Sequence, residues 1–287
     1  MAKGRELKGR IKSVEGTRKI TSTMEMVAAS KLKRAMDRVV AARPYARALA
    51  AVIGDLYTPQ LAEHFPLLRQ PATVKRAAVL LLTSNRGLCG GFNANLIREA
   101  LQLIAKLKGE GVESEVHIVG RKGAGYFRFT GRPIASARTD IGDKPTAAHA
   151  VELVAPLTAD FVSGRLDALY VVYAKFNSAI STPPSVDRVL PVAPPVRTGT
   201  ARDYLLFPNA AAILSELLPA YVRNAIYRAL VETVCGEHGA QRTAMKNATD
   251  NAGDLLDVLR RTYNRARQAQ ITQEIAEIVG GAEALKG

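Results

Sequence analysis

Long apolar runs are missing from this chain. Even a run such as residues 77–82 falls far short of the ~18–20 residues a membrane span requires, so no spanning helix is expected. Tryptophan is absent, and residues 1–43 hold no aromatic at all. That removes the stacking side chains that nucleic-acid binders add to a basic surface. Cysteine is limited to Cys89 and Cys235, too few for a disulfide framework and in keeping with a reducing compartment. His64, His117, His149 and His238 are scattered without metal-ligand spacing, so neither a metal nor a cofactor is expected. Proline is absent from residues 1–43 and again after Pro219, which leaves a breaker-free, helix-length segment at each end.

Acidic residues are also scarce where the chain begins. Residues 1–50 carry thirteen Lys/Arg against Glu6, Glu15, Glu25 and Asp37, a local excess of +9 within a total of +14. A basic helix can grip phosphates, an anionic membrane or an acidic protein surface, or simply be solvated. Charge alone does not choose among these. The start, MAKGRELKGR, lacks the apolar core of a secretion signal, and Glu6 and Glu15 argue against a transit peptide.

What is present is helical periodicity at both ends. Leu7, Ile11 and Val14 step by four and three, the seam of a coiled coil. Continuing that register lands on Arg18, Thr21 and Glu25, so the apolar stripe is expected to shift one face over, to Ile20, Met24 and Val27. It resumes through Leu32, Val39, Leu49, Ile53 and Leu56, with Pro44 expected to kink or interrupt the helix. The C-terminal segment opens at Pro208-Asn209, with Asn209 as cap. Pro219 in a first turn would make residues 210–218 a separate short helix. A stripe continues through Leu230, Met245, Leu256, Tyr263 and Ile271 until Gly280-Gly281 is expected to stop it. Uninterrupted from 210 to 279, such a helix would reach roughly 100 Å. Neither stripe can stay in water along its length, so the two ends are expected to pair antiparallel with the middle inserted between them.

The middle alternates strand and helix signals. Residues 74–83 (VKRAAVLLLT), 115–120 (EVHIVG) and 168–176 (ALYVVYAKF) read as strands, with a last strand pair or edge strand near 186–192. Helices are expected at 93–108, at 121–129 (RKGAGYFRF) and near 145–163. The fold class is therefore α/β: a Rossmann-like, doubly wound domain over 74–205, inserted between coiled-coil helices over 1–58 and 209–287.

A doubly wound sheet invites a nucleotide site, and residues 86–91 (RGLCGG) after the first strand are the place to look. They match neither the dinucleotide nor the P-loop glycine pattern, and no acidic residue closes the next strand for a ribose. A tight turn needing glycine dihedrals accounts for them. Cys89 has no histidine near it in sequence and reads as a packed thiol. No carboxylate pair, Ser/His/Asp set or phosphate-clamping lysine is evident, so the isolated chain is expected to catalyse nothing. A nucleotide-dependent oxidoreductase with a helical appendage and a basic coiled-coil nucleic-acid binder stay open as alternatives. Nucleotide binding by the isolated chain would favour the first, and co-purifying nucleic acid the second.

Residues 23–32 (TMEMVAASKL), 86–93 (RGLCGGFN), 245–251 (MKNATDN) and 263–281 (YNRARQAQITQEIAEIVGG) resemble, in order and spacing, signature segments of the γ subunit of F-type ATP synthase. The resemblance covers both ends and the centre. It leaves no room for the cysteine-bearing insertion of the chloroplast form, and the bacterial form is expected.

The resemblance implies a central rotor whose terminal helices form an antiparallel coiled coil. It implies as partners three α and three β subunits, an ε subunit and a membrane ring of c subunits, with no nucleic acid. Membrane association would come only through that complex, peripherally, on the cytoplasmic side of the bacterial inner membrane. Met24, Arg242, Arg267, Gln268 and Thr272 match positions of β-subunit contact and coupling. Ile271, Ile275, Ile278 and Val279 match the apolar bearing tip, and Asp203, Tyr204 and Leu205 the segment near the c ring. No catalytic, cofactor or metal residue is implied.

Overall fold

An unbroken helix occupies each end of the chain. The structure, a computed structural model, describes residues 2–57, 64–71, 73–178, 181–193, 207 and 209–284. In order these form α1 (Ala2–Leu56), a 3-10 turn (Pro66–Leu68), β1 (Arg76–Leu82), α2 (Phe92–Gly109), β2 (Glu113–Val119) and α3 (Arg121–Phe129). Then follow β3 (Ser136–Arg138), α4 (Ala147–Val162), β4 (Ala168–Ala174), β5 (Pro184–Leu190) and α5 (Ala210–Ala284).

Three expected breaks do not occur. Helix α1 runs through Pro44, and α5 runs through Pro219 with no separate helix at 210–218. An interior proline costs ~3 kcal/mol or more. Burial on both sides offsets it: Leu49, Ile53 and Leu56 follow Pro44, and Leu214, Leu218 and Val222 flank Pro219, all buried. Each such side chain contributes roughly 1.5–3 kcal/mol. Gly280 and Gly281 also stay helical, with neither at positive φ. A helical glycine costs only ~1 kcal/mol relative to alanine. Asn209 does cap α5, accepting the Ala212 N–H at 2.8 Å.

The chain forms two compact units, Met1–Ala28 with Gln241–Gly287, and Ala29–Ala240. In the second unit the strands lie in the order β3-β2-β1-β4-β5, parallel except for β5, which pairs antiparallel with β4. Strand β1 reads as a continuous apolar run because both of its faces are covered. Ala78, Leu80 and Leu82 join a core with Leu153 and Leu157 of α4, Ile53 of α1 and Leu214 of α5. Ala77, Val79 and Leu81 join the opposite core with Leu96 of α2 and Phe127 of α3. Helices on both faces of a mostly parallel sheet make this the doubly wound arrangement that the alternation of signals implies.

In the first unit α1 and α5 run antiparallel. Glu15 pairs with Arg260 (2.7 Å), and Thr21 with Thr249 (2.8 Å). A Cβ placed on Gly253 would lie 3.8 Å from Arg18 Nε. As numbers rise on α1 they fall on α5. Leu7, Ile11 and Val14 are half-buried, as the first heptad predicts. The expected shift to a second face does not happen. Thr21 and Ala28 are buried while Ile20 and Val27 are 62% and 51% exposed. The seam keeps its register by using small and hydroxyl side chains, so polarity at Thr21 did not mark an outer position.

Candidate functional site

Two places deserve a chemical description, the distal part of the helix pair and the carboxyl edge of the sheet. On α5 the inward positions Met245, Ala252 and Leu256 are buried, and Thr249, Leu259, Tyr263 and Ala266 are half-buried. They alternate steps of three and four, the spacing that keeps one seam on a partner helix. Residues 271–282 are all exposed. The register set by Glu15 and Arg260 puts the first residue of α1 opposite about residue 273. The last ten or so residues of α5, about 16 Å at 1.5 Å each, therefore have no α1 residue beside them.

The exposed end of α5 is apolar on one side. Ile271, Ile275 and Ile278 follow helical spacing, and with Val279 they are 46–71% exposed. Large apolar side chains grouped in water mark an interaction surface. Arg267 and Gln268 lie one turn earlier and are exposed. Thr272 is exposed too, with its hydroxyl donating to Gln268 O at 3.0 Å, which ties it to its own helix. Met24 is half-buried on α1 and Arg242 exposed on α5. The contact of Thr21 with Thr249 carries Met24 to within about one helical turn of Arg242. The structure thus gathers the sequence-derived residues into two groups, Met24 with Arg242 and residues 267–279. Asp203, Tyr204 and Leu205 lie outside the described residues.

At the sheet edge the glycine loop after β1 is closed on itself. Asn93 Oδ1 accepts the Ser84 N–H (3.0 Å), and Asn93 Nδ2 donates to Ser84 Oγ (2.8 Å) and to Cys89 Sγ (3.2 Å). Gly90 has φ of +56°, the turn conformation that glycine supplies freely. Cys89 is buried, and burial pushes its thiol pKa up, away from a reactive thiolate. The first amides of α3, where an anion could dock, are already taken. Arg121 N–H goes to Asn85 Oδ1, Lys122 N–H to Ser84 O, and Gly123 N–H to Thr83 Oγ1, at 3.0–3.1 Å.

Helix α5 covers the end of β4. Glu232 Oε2 accepts the Phe176 N–H at 2.8 Å, and a Cβ on Gly236 would sit 2.9 Å from Ala174 Cβ. In open α/β sheets ligands bind outside the carboxyl ends of strands; here a helix occupies part of that crevice. Beside it remains a cavity of about 580 Å³ whose lining includes Asn85, Arg86, Asp143 and Glu237. Burial, then repulsion from Asp143, pushes the Glu237 carboxyl up to about 7. Lys31 Nζ holds Asp143 Oδ2 at 2.6 Å, and Arg38 donates to Asp143 O at 3.1 Å. Sequence reading missed this cluster. Lys31 and Asp143 lie 112 residues apart, and no local pattern announces such a pair.

Comparison with known proteins agrees with this geometry. The family model described as ATP synthase matches residues 3–285. The chain is 63% identical over 290 residues to the ATP synthase gamma chain of Gemmatimonas aurantiaca, and 46% identical over 286 residues to that of Moorella thermoacetica, covering 100% of both chains in each case. Its fold resembles a rotor chain of Euglena gracilis mitochondrial ATP synthase (TM-score 0.68, 18% identity, 94% of this chain and 99% of that one). It also resembles a central-stalk chain from the Tetrahymena thermophila enzyme (TM-score 0.63, 22% identity, 80% and 99%). With the match running from end to end, this chain belongs to the ATP synthase family, among its γ chains.

Proposed function

We infer that this chain is the central-stalk rotor of an F-type ATP synthase, a non-catalytic subunit that couples proton flow through a membrane c ring to ATP synthesis or hydrolysis in an α/β ring. The observation that carries the reading is the antiparallel helix pair ending in a lone helix with an exposed apolar stripe. A shaft turning inside a partner needs that form. No described helix is long and apolar enough to cross a membrane, and the chain joins the membrane peripherally through the complex, on the cytoplasmic side of a bacterial inner membrane.

The physics is one of differential contact. A partner shifts a conformational equilibrium only as far as it touches the states differently. An asymmetric shaft offers unlike surfaces to three chemically identical β subunits and so holds them at unlike nucleotide affinities. Turning the shaft permutes those affinities, and by linkage nucleotide binding and release exert torque on it. Basic α1 complements an acidic β loop, which orients more than it binds. Met24, Arg242, Arg267, Gln268 and Thr272 meet the β subunits. Ile271, Ile275, Ile278 and Val279 turn in an apolar collar, while Asp203, Tyr204 and Leu205 lie near the c ring. The sheet domain, 74–205, carries ε, and the segments 1–58 and 209–287 form the shaft.

Affinity purification of the tagged full chain from native membranes tests this reading. Recovery of α, β, ε and c subunits with ATPase activity is the expected result. Recovery of nucleic acid, or of the chain alone, would remove it.

A further inference from the structure

Within the unit Ala29–Ala240, a cleft of about 360 Å³ opens between α1 and α5. Ala46, Ala50 and Ala225 line it, and their short side chains leave space in it. Four cations line it as well. Arg43 and Arg47 stand one turn apart on α1, Arg228 projects from α5, and Lys175 follows β4. A single carboxylate, Glu232, lines the cleft with them.

These cations are poorly neutralised. Arg43 gives one N–H to Phe176 O at 3.3 Å and lays its guanidinium 5.7 Å from the Phe176 ring centre, leaving its other donors over. Arg228 is held loosely, with Nε 3.5 Å from Glu232 Oε1 and Nη2 3.7 Å from Asp187 Oδ2. Arg47 and Lys175 have no side-chain hydrogen bond or ion pair among the described residues. Glu232 spends one oxygen on the Phe176 N–H, and burial pushes its carboxyl up, which weakens it as a counter-charge. Like charges brought together without partners repel and attract a counter-ion to the cleft.

We propose that this cleft binds a phosphate group, bridging α1, α5 and the end of β4. Phosphate fits better than a carboxylate. Its oxygens can accept from donors arriving on three sides, and two negative charges match the excess better than one. Guanidinium groups engage such oxygens in pairs. Inorganic phosphate, pyrophosphate and a nucleoside triphosphate all present this chemistry, and Tyr221 in the lining offers a ring against which a base could lie. The proposal stands apart from the rotor reading, since it rests only on this cleft.

Titration of the purified full chain with sodium phosphate, pyrophosphate and ATP, against sodium chloride at matched ionic strength, tests it by calorimetry and thermal unfolding. Saturable binding of at least one phosphate species, absent with chloride, is expected. Arg47→Ala and Lys175→Ala should each weaken it about tenfold, the equivalent of 1.4 kcal/mol. Arg47→Glu combined with Lys175→Glu should abolish it. Both residues are exposed, so the variants should keep the parent's circular dichroism. Tighter ATP than phosphate identifies a nucleotide ligand, and equal affinities identify the free anion. The proposal falls if phosphate stabilises no more than chloride, or if the single alanine variants bind as the parent does.

Discussion

The hydroxyl oxygens of Thr249 on α5 and Thr21 on α1 lie 2.8 Å apart, and each is also within hydrogen-bond reach of a carbonyl of its own helix, Met245 O at 2.9 Å and Arg18 O at 3.1 Å. The chain of two hydroxyls crosses the helix pair at a level where Thr21 is buried. It replaces apolar contact with a directional one and fixes which turn of α1 meets which turn of α5.

That relationship makes a double-mutant prediction. Thr21→Val or Thr249→Val alone leaves a polar group facing an apolar one and should cost about 1 kcal/mol. The double replacement removes both partners and should restore much of the loss. Urea unfolding of the full chain reads the result. Strictly additive losses would mean that the hydroxyls act independently and do not lock the pair.

Gly236 sets the distance between α5 and the sheet. Alanine there gains up to ~1 kcal/mol of helix propensity, but its Cβ would meet Ala174 Cβ at 2.9 Å and the Phe92 ring at 3.1 Å. Overpacking of this kind costs ~1–3 kcal/mol, so Gly236→Ala should be net destabilising. Gly16→Ala on α1, where no atom lies within 4 Å of the new Cβ, should stabilise. Thermal midpoints moving in the same direction for both would show that close approach does not govern Gly236.

The contrast between those glycines also shows how far the sequence could be read. Helices α2, α3 and α4 and strands β1, β2 and β4 follow from local periodicity because burial on two faces leaves a strong pattern. Strand β3, only Ser136–Arg138, escaped notice because three residues carry no period. Pro44, Pro219 and Gly280 misled because their local cost is outweighed by distant packing or stays small near a helix end. Thr21 misled for the opposite reason, since a hydroxyl inside a seam looks like a surface residue until its partner 228 positions away is known. The apolar stripe of Ile271, Ile275 and Ile278 was legible from its spacing but its exposure was not, since spacing alone calls for a partner helix, and the Lys31–Asp143–Glu237 cluster exists only in three dimensions.

Glu237 predicts a pH dependence. Its folded pKa of about 7 lies above the ~4.3 of a free glutamate. Between those values the folded chain keeps a proton that the unfolded chain has lost, so this group lowers stability as pH rises through the window. Above pH 7 the penalty is fully present, on the order of 3–4 kcal/mol. Glu237→Gln should therefore unfold at higher urea than the parent at pH 8 and nearly with it at pH 4.5. A constant difference across that range would show that Glu237 does not titrate inside the fold.

On the proposed rotor reading, Arg267 and Gln268 transmit force. Both are exposed on α5 just before the bare apolar segment, and an arginine fork there can make charge-assisted bonds to a carboxylate of a surrounding subunit. On that reading, losing such a bond costs about 1.5–3 kcal/mol, enough to reorder the nucleotide affinities that the shaft would impose on its partners. Replacing both by alanine should slow ATP turnover and lower the protons pumped per ATP. The complex should stay assembled, because the buried seam of Met245, Ala252 and Leu256 lies elsewhere. Cys89→Ser is the control. Its side chain is buried and touched by Asn93 Nδ2, a donor that serine can also satisfy, so ATPase activity should stay near that of the parent. Parallel assays of hydrolysis and proton pumping on reconstituted vesicles decide the matter. A silent Arg267/Gln268 double variant beside an inactive Cys89→Ser would move the working site from the shaft to the glycine loop.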